Sequence, residues 1–359
     1  MATKRTGLSR DLIIHPGETI ADILNDRGIT QAELAVRTGV TPAYISNVIS
    51  GKKAVSAKFA LALEYALGVS KSFWMNLQAH YETELLEFNE PYTITDEERA
   101  VRDDIQDAVR YLRSSELLSS RGSIDNTILE LRRFLGVSNL VNLKETIRVS
   151  PFRIHGEQNN AYRLAAWARI CEHLTNEDYP EEAFVPDSIS SLFDELKHLM
   201  TDNEAGEDDI KRILKRYGIT VTTIHGYKDV PIKGFIVPRS NGSYQLVLSV
   251  ADQYADTFWY SLFEQLGHIC KGDTARTNVF IDCTAYKKTL NPFNEDLLMS
   301  SVDYKLFINS KDFSIESIEK FAVSQHIIPY IVINRLVSER RISRRSADSP
   351  RPLFKWAHP

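Results

Sequence analysis

Residues 30–50 constrain the fold more than any other stretch. Thr30 stands where a helix N-cap would, and Glu33, three residues on, completes a capping-box pattern. Leu34 and Ala35 are the inward positions of the short helix that follows, which stops at Thr38-Gly39. Gly39 can take the left-handed conformation of a tight turn, with Val40 packing inward. Thr41-Pro42 opens another helix with a cap and an N1 proline, and Ile45, Val48 and Ile49 are its inward face. Two short helices, 31–38 and 41–50, joined by a tight turn make a helix-turn-helix. The spacing of Ala35, Gly39, Ile45 and Ile49 suits two helices that cross closely.

The flanking sequence supplies the rest of a five-helix bundle. His15-Pro16-Gly17-Glu18 opens a first helix with Ile20, Ile23 and Leu24 on one face, ending near Arg27-Gly28. A fourth helix over 56–67 and a fifth from Ser72 to about Tyr81 close the core with Phe59, Leu63, Phe73, Trp74 and Leu77. Ala43, Tyr44, Ser46 and Asn47 face outward from the third helix, and Lys52 and Lys53 follow it. Small polar side chains there can reach base edges in a major groove, while the lysines and Gln31 can meet phosphates, flanked by Arg37 and Thr41. The bland alternative is a bundle that binds only protein, since 15–81 holds six Lys/Arg against five Asp/Glu. Agreement of cap, turn glycine and outward polar face favours DNA. The first dozen residues, with Lys4, Arg5 and Arg10, read as a mobile basic arm.

This segment resembles the Xre/Cro-like family, and specifically HigA-type antitoxins. The resemblance rests on His15-Pro16-Gly17-Glu18, on Ile29-Thr30-Gln31-Ala32-Glu33-Leu34-Ala35 and on Ser72-Phe73-Trp74-Met75-Asn76-Leu77-Gln78. It implies a homodimer that binds palindromic operators, often at its own promoter.

At 359 residues the chain has room for two or three domains. With 43% hydrophobic and 25% charged residues it has the composition of a soluble globular protein, and its net charge of −5 carries no whole-chain nucleic-acid signal. Cys171, Cys270 and Cys283 lack C-x-x-C spacing and read as reduced thiols of a cytoplasmic protein. An apolar run long enough for a leader or a span is missing, so neither export nor membrane insertion is expected. Residues 82–107 carry ten Asp/Glu against Arg99 and Arg102, and Asn89-Glu90-Pro91 breaks the preceding helix. A solvated connector helix from about Thr95 is the simpler reading; a surface for a basic partner is the sharper one. The middle region to residue 200 reads as helical: Ile128, Leu131, Phe134 and Leu135 before Gly136, then 162–174, then Phe193, Leu196 and Leu199. Arg153 and His155, with Arg163 and Arg169, read as surface or interhelical residues, and neither His155 nor His173 has ligand spacing.

From Ile210 the pattern changes. A helix to Tyr217 is followed by strands over 219–224, 234–237 and 244–249, then by a long apolar helix that includes Trp259, Leu262, Phe263, Leu266 and Ile269. Its sequence Glu264-Gln265-Leu266-Gly267-His268 has the frame of a zinc-peptidase helix, in which His at i and i+4 grip one metal and a Glu beside the first takes a proton from water. Only His268 is of the required type; Gln265 cannot act as a base at neutral pH. The region resembles an ImmA/IrrE-type metallopeptidase domain through Phe258 to Phe263, Leu266 to Ile269, Phe321-Ala322, His326-Ile327-Ile328-Pro329 and Asn334-Arg335-Leu336. In that family a downstream helix gives a Glu ligand. Here that helix is expected over 297–307, with Phe307-Ile308-Asn309 in the place of a short apolar-proline segment and Met299 at the ligand position; Glu295, Asp296 or Asp303 are reached by a shift of a few residues.

The expected architecture is thus mainly α with a small α+β C-terminal domain: a helix-turn-helix domain (1–81), an acidic connector and helical middle (82–200), a zincin-like pseudo-peptidase domain with a small sheet (201–338) and a basic tail (339–359). The tail, with Arg340, Arg341, Arg344, Arg345, Arg351 and Lys355, reads as solvated, with contact to phosphates or an acidic protein face as the alternative. The degenerate site Glu264, Gln265, His268 and Met299 implies neither peptide hydrolysis nor a cofactor. The reading that follows is an operator-binding antitoxin and autorepressor, with a cognate toxin as partner. Two alternatives stay open: an active zinc peptidase that cleaves a repressor or toxin, and a phage or mobile-element regulator with a ligand-sensing C-terminal domain.

Overall fold

The computed structural model describes residues 10–150, 152–156, 160–175, 180–202, 205–227, 230–274, 277–283, 296–343 and 351–356. Lys4 and Arg5 of the expected arm, Glu295, and Arg344 and Arg345 of the tail lie outside the described residues. The chain divides into two compact units, Met1–Thr95 and Asp96–Pro359.

The first unit holds α1 (Pro16–Arg27), α2 (Gln31–Thr38), α3 (Pro42–Ile49), α4 (Ala57–Leu67) and α5 (Lys71–Asn89). Gly28, Gly39 and Gly68 end α1, α2 and α4 at φ of 65°, 67° and 69°, the left-handed region that side chains resist. Ile20, Leu34, Ile45, Val48, Phe59, Leu63 and Trp74 are buried in one core. Two details depart from the sequence reading. Helix α5 runs on to Asn89, because nothing between Tyr81 and Glu90-Pro91 breaks it. Phe73 is exposed, and Trp74 alone fills the core from that turn.

The second unit opens with α6 (Asp96–Asp104), α7 (Gln106–Ser114), α8 (Ile124–Leu135), α9 (Leu143–Val149), β1 (Phe152–His155) and α10 (Ala161–Leu174). Helix α6 is more than a solvated connector. Glu98 is fully buried, accepts two hydrogen bonds from the Arg132 guanidinium and takes the Leu140 N–H at 2.9 Å. Asp107 receives Arg163 at 2.9 Å and the Trp167 indole N–H at 2.7 Å. Part of the acidity read as surface charge therefore serves internal pairs, which satisfy charges that burial would otherwise make costly.

Helices α11 (Ile189–Met200) and α12 (Glu207–Arg216) lead into β2 (Ile219–His225), β3 (Gly234–Pro238) and β4 (Tyr244–Val250); then come α13 (Ala255–Cys270) and β5 (Val279–Asp282). The five strands form one mixed sheet in the order β1-β5-β3-β4-β2. β1 is parallel to β5 and β2 to β4, while β3 is antiparallel to both its neighbours, with Phe235 opposite Val247 and Ile281. The middle region, expected to be wholly helical, thus supplies an edge strand, and Arg153 and His155 sit on it rather than between helices. Helix α13 shares a core with the sheet: Phe258, Leu262 and Leu266 join Ile236, Leu246, Leu248 and Phe280.

The chain continues through α14 (Ser301–Ser310), α15 (Ile315–Ser324) and α16 (Pro329–Ser338). The helix expected over 297–307 is broken: residues 296–298 are helical, the chain bends at Met299-Ser300, and α14 starts afresh at Ser301, where Ser300 caps it by accepting from the Asp303 N–H at 3.2 Å. Part of the tail is held rather than solvated: Arg351 donates to the buried Asp256 carboxylate at 2.8 and 2.9 Å, while Arg340 and Arg341 are exposed.

Candidate nucleic-acid interface

Two threonines set the geometry of α2 and α3. Thr30 Oγ1 accepts from the Glu33 N–H at 3.1 Å and Thr41 Oγ1 from the Tyr44 N–H at 3.2 Å. Each satisfies one of the orphan donors of a helix start. The Glu33 carboxylate, expected to reach back to the cap, is engaged one turn on by Arg37 at 2.5 Å.

Helix α3 is seated from behind by Gly17. A Cβ on Gly17 would lie 2.1 Å from the Val48 carbonyl oxygen and 2.8 Å from the Ile49 Cα, so only glycine lets α1 approach α3 this closely. His15 caps α1 through Nδ1, which accepts the Gly17 N–H at 2.9 Å, and its ring meets Tyr81 edge-on at 4.7 Å. Burial pushes the His15 imidazole below its ordinary value, against the opposing field of Glu18.

The turn after α3 is pinned at both ends. The Asn47 carbonyl accepts the Lys52 and Lys53 N–H groups at 2.9 and 3.1 Å. Buried Gln78 on α5 accepts the Val55 N–H at 2.9 Å and donates to Glu82 at 2.9 Å. In the sequence Gln78 is marked only as a polar residue on an otherwise inward face of α5. The Gly17 contact was missed too, although a glycine in a helical first turn without a positive φ points to close packing.

Of the predicted contact residues, Gln31, Arg37, Thr41, Ala43, Ser46, Asn47, Lys52 and Lys53 are exposed. Tyr44 is half-buried: its ring packs edge-to-face on Phe59 at 5.0 Å and carries the Lys53 ammonium at 4.3 Å. Tyr44 therefore ties α3 to α4 as well as facing outward, and Lys53 spends part of its reach on that ring. The result is an exposed, small and polar edge on a rigidly mounted helix, flanked by cations.

Glu264, Gln265 and His268, the positions expected to follow a peptidase frame, lie in a second polar cluster, in the other unit. The Lys233 ammonium sits 2.5 Å from the Glu264 carboxylate, with side-chain exposures of 4% and 18%. Gln265 donates to Asp282 at 2.7 Å, both fully buried, and its carbonyl lies against Gly234, where a Cβ would clash at 1.9 Å. His268 Nδ1 lies 2.9 Å from Asp273, Nε2 lies 4.0 Å from Asp282, and Phe280 covers one side of the ring. His155, whose sequence spacing suggests no ligand site, stands with its ring 5.4 Å from His268. Met299 is buried in the apolar core. Asp296 binds the Ser301 N–H at 3.1 Å and Asp303 accepts from Gln325 at 3.2 Å. Among the described residues no group of three or more His, Cys, Asp or Glu is arranged to hold a metal ion. The same residues include no helix long and apolar enough to cross a membrane.

Comparison with known proteins places the first unit. The helix-turn-helix family matches residues 20–74. Virulence-associated protein A' of Dichelobacter nodosus is 42% identical over 69 residues, which are 19% of this chain and 60% of that protein. An uncharacterized HTH-type transcriptional regulator, YddM, of Escherichia coli is 30% identical over 63 residues, 18% of this chain and 67% of that one. The chain thus spans about 60% of the length of the first of these relatives. Among solved structures, a putative antidote protein of a plasmid maintenance system from Nostoc punctiforme is 40% identical, covering 22% of this chain and 89% of that one with a TM-score of 0.21. The Pseudomonas aeruginosa antitoxin HigA, solved with the higBA promoter, is 31% identical, covering 21% and 85% with a TM-score of 0.20. Through residues 20–74, the chain belongs to the helix-turn-helix family.

Proposed function

We propose that the chain is a sequence-specific DNA-binding repressor of the antitoxin type, which reads an operator with α3. The observation that carries this reading is the exposed edge Ala43, Ser46 and Asn47 beside Lys52 and Lys53, on a helix fixed by Thr41 and Gly17 and followed by a turn that Gln78 holds. Such an edge can enter a major groove, with the N–H groups and cations around it meeting phosphates. Membership of the helix-turn-helix family through residues 20–74 supports it. A homodimer on a palindromic site, in the cytoplasm, with a toxin as protein partner is the finer form of the proposal.

The second unit, in this reading, is a non-catalytic domain with a peptidase-like helix, used to bind a partner. The support is chemical. Glu264 is neutralised by Lys233, Gln265 is spent on Asp282, and an amide takes no proton from water.

The test is a titration of the full-length chain into duplexes tiling the DNA upstream of its own gene, followed by fluorescence anisotropy at two salt concentrations. One duplex is expected to bind about a thousandfold or more tighter than the rest, with affinity falling steeply in salt. Equal binding to every duplex would overturn the proposal of sequence-specific repression.

A further inference from the structure

We propose that the second unit carries a receptor groove for an extended peptide, and that the chain's own residues 351–356 are its resident ligand. The inference is independent of the DNA reading.

At two helix starts the flanking residue offers no side-chain acceptor to the first turn: Gly206, which has none to offer, precedes α12, and Tyr254 precedes α13. Asp209 accepts the Gly206 N–H and Asp252 the Tyr254 N–H, each at 3.0 Å, which leaves the N–H groups of Glu207 and Ala255 to main-chain acceptors. First-turn N–H groups need acceptors. The acceptors come from the end of the chain: the Pro352 carbonyl takes the Ala255 N–H at 3.0 Å, and the Lys355 carbonyl takes the Glu207 N–H at 3.1 Å. In return the Phe354 N–H donates to the Gln253 carbonyl at 2.8 Å, and Leu353 bridges Tyr254 in antiparallel fashion. A backbone laid beside another in this way is peptide recognition by strand addition.

The side chains supply a code. Arg351 makes a two-pronged contact to Asp256, which is 1% exposed, with the guanidinium stacked 3.9 Å from the Tyr254 ring centroid and donating to Thr257 at 2.7 Å. Asn334 holds the same carboxylate at 2.6 Å. Phe354 stacks on Phe258 at 3.9 Å, and Trp356 on His225 at 4.3 Å. Leu353 is 62% exposed and is not read. The groove therefore takes an extended segment with arginine at its first position and aromatic residues at its fourth and sixth. A protein partner that presents this chemistry competes with residues 351–356 and takes over the caps of α12 and α13.

The experiment uses a fluorescein-labelled peptide Arg-Pro-Leu-Phe-Lys-Trp, titrated by anisotropy into the full-length chain and into its Arg351→Ala/Phe354→Ala/Trp356→Ala variant. Saturable binding is expected, about tenfold or more tighter to the variant, whose own segment no longer fills the groove. Replacing the peptide arginine by alanine should weaken it by about tenfold or more, while Leu→Ala at its third position leaves it unchanged. If circular dichroism shows the triple variant unfolded, the single Arg351→Ala variant takes its place. No saturable binding to a folded variant, equal affinity for variant and wild type, or indifference to the peptide arginine would each overturn the proposal.

Discussion

Gly17→Ala is the sharpest probe of how the DNA-facing helix is mounted. Two effects oppose each other. Alanine in a helix is favoured over glycine by about 0.5–1 kcal/mol, and the backbone at Gly17 needs no positive φ, so propensity alone predicts stabilisation. Against this, the new Cβ would lie 2.1 Å from the Val48 carbonyl oxygen and 2.8 Å from the Ile49 Cα. Both are backbone atoms of α3 and its end, so no side chain can swing aside. Overpacking of this kind costs about 1–3 kcal/mol, and the opening has to widen by about an ångström. The net expectation is a loss of about 1–2 kcal/mol, the clash outweighing the propensity. Hydrogen exchange of the full-length chain reads this locally: amides of α1 and α3 should exchange about 5–30 times faster, with those of α13 unchanged. Gly28→Ala is the contrast, because open space surrounds it but φ is 65°, so its cost is local strain near α1 alone. Exchange in Gly17→Ala equal to or slower than wild type would refute the claim that α1 and α3 meet at this glycine.

Three further outcomes are expected. Asn47→Ala should weaken binding to the preferred duplex by about 1–3 kcal/mol with unchanged exchange protection of α3, while Lys52→Ala should reduce the salt slope by about one; unchanged DNA binding in both removes α3 as the reading element. His15 should make the first unit acid-sensitive: burial holds its folded-state value below the ordinary 6.5, so its contribution is intact above that pH and declines as pH falls below it toward the lowered value. Exchange at α1 measured between pH 7.5 and 5.5, corrected for intrinsic rates, should show that decline in wild type but not in His15→Asn, which keeps a capping acceptor. Gln265→Glu, finally, sets a second buried carboxylate against Asp282, and should destabilise the second unit by about 3 kcal/mol at pH 8 and by less at pH 5, where one carboxyl can hold a proton; equal denaturation midpoints for variant and wild type at both pH values would show that the pair is not as close as described.

Legibility followed the range of the interactions. In the first unit nearly everything that forms α2 and α3 is local: a threonine bonding three residues ahead, a glycine ending a helix, a proline opening one. Such signals sit in adjacent residues and can be read from them. What the sequence hid there were contacts across the bundle. Gly17 against Val48 and Gln78 against Val55 join positions 31 and 23 residues apart, and neither has a repeating pattern. Tyr44 was read as outward from helical phase alone; the Phe59 ring that half-covers it comes from another helix.

In the second unit the balance reverses. Strand β5 is buried along its whole length and shows no alternation, while β1 alternates, Phe152-Arg153-Ile154-His155, but over four residues only, too short a run to stand out from its helical surroundings. Parallel pairing with β5 brings β1 across more than a hundred residues, and with it His155 to His268. The frame Glu264-Gln265-Leu266-Gly267-His268 was legible as a helix with altered polar positions, but not what those positions touch. Lys233, Asp273 and Asp282 come from β3's approach, the turn after α13 and β5. A polar cluster with no use would be expected to give way to apolar residues, since burying ions gains little stability by itself. Here Glu264, the Gln265 amide N–H and His268 each meet a partner from outside α13, while the Gln265 carbonyl oxygen lies buried against Gly234 without a hydrogen bond among the described residues, so the cluster ties helix to sheet at the cost of one unsatisfied acceptor. That makes Gln265→Met, a volume-conserving change, more harmful than its apolarity suggests: it removes a hydrogen bond to the buried Asp282 carboxylate, which costs about 1.5–3 kcal/mol, and a denaturation midpoint equal to that of the wild type would refute it.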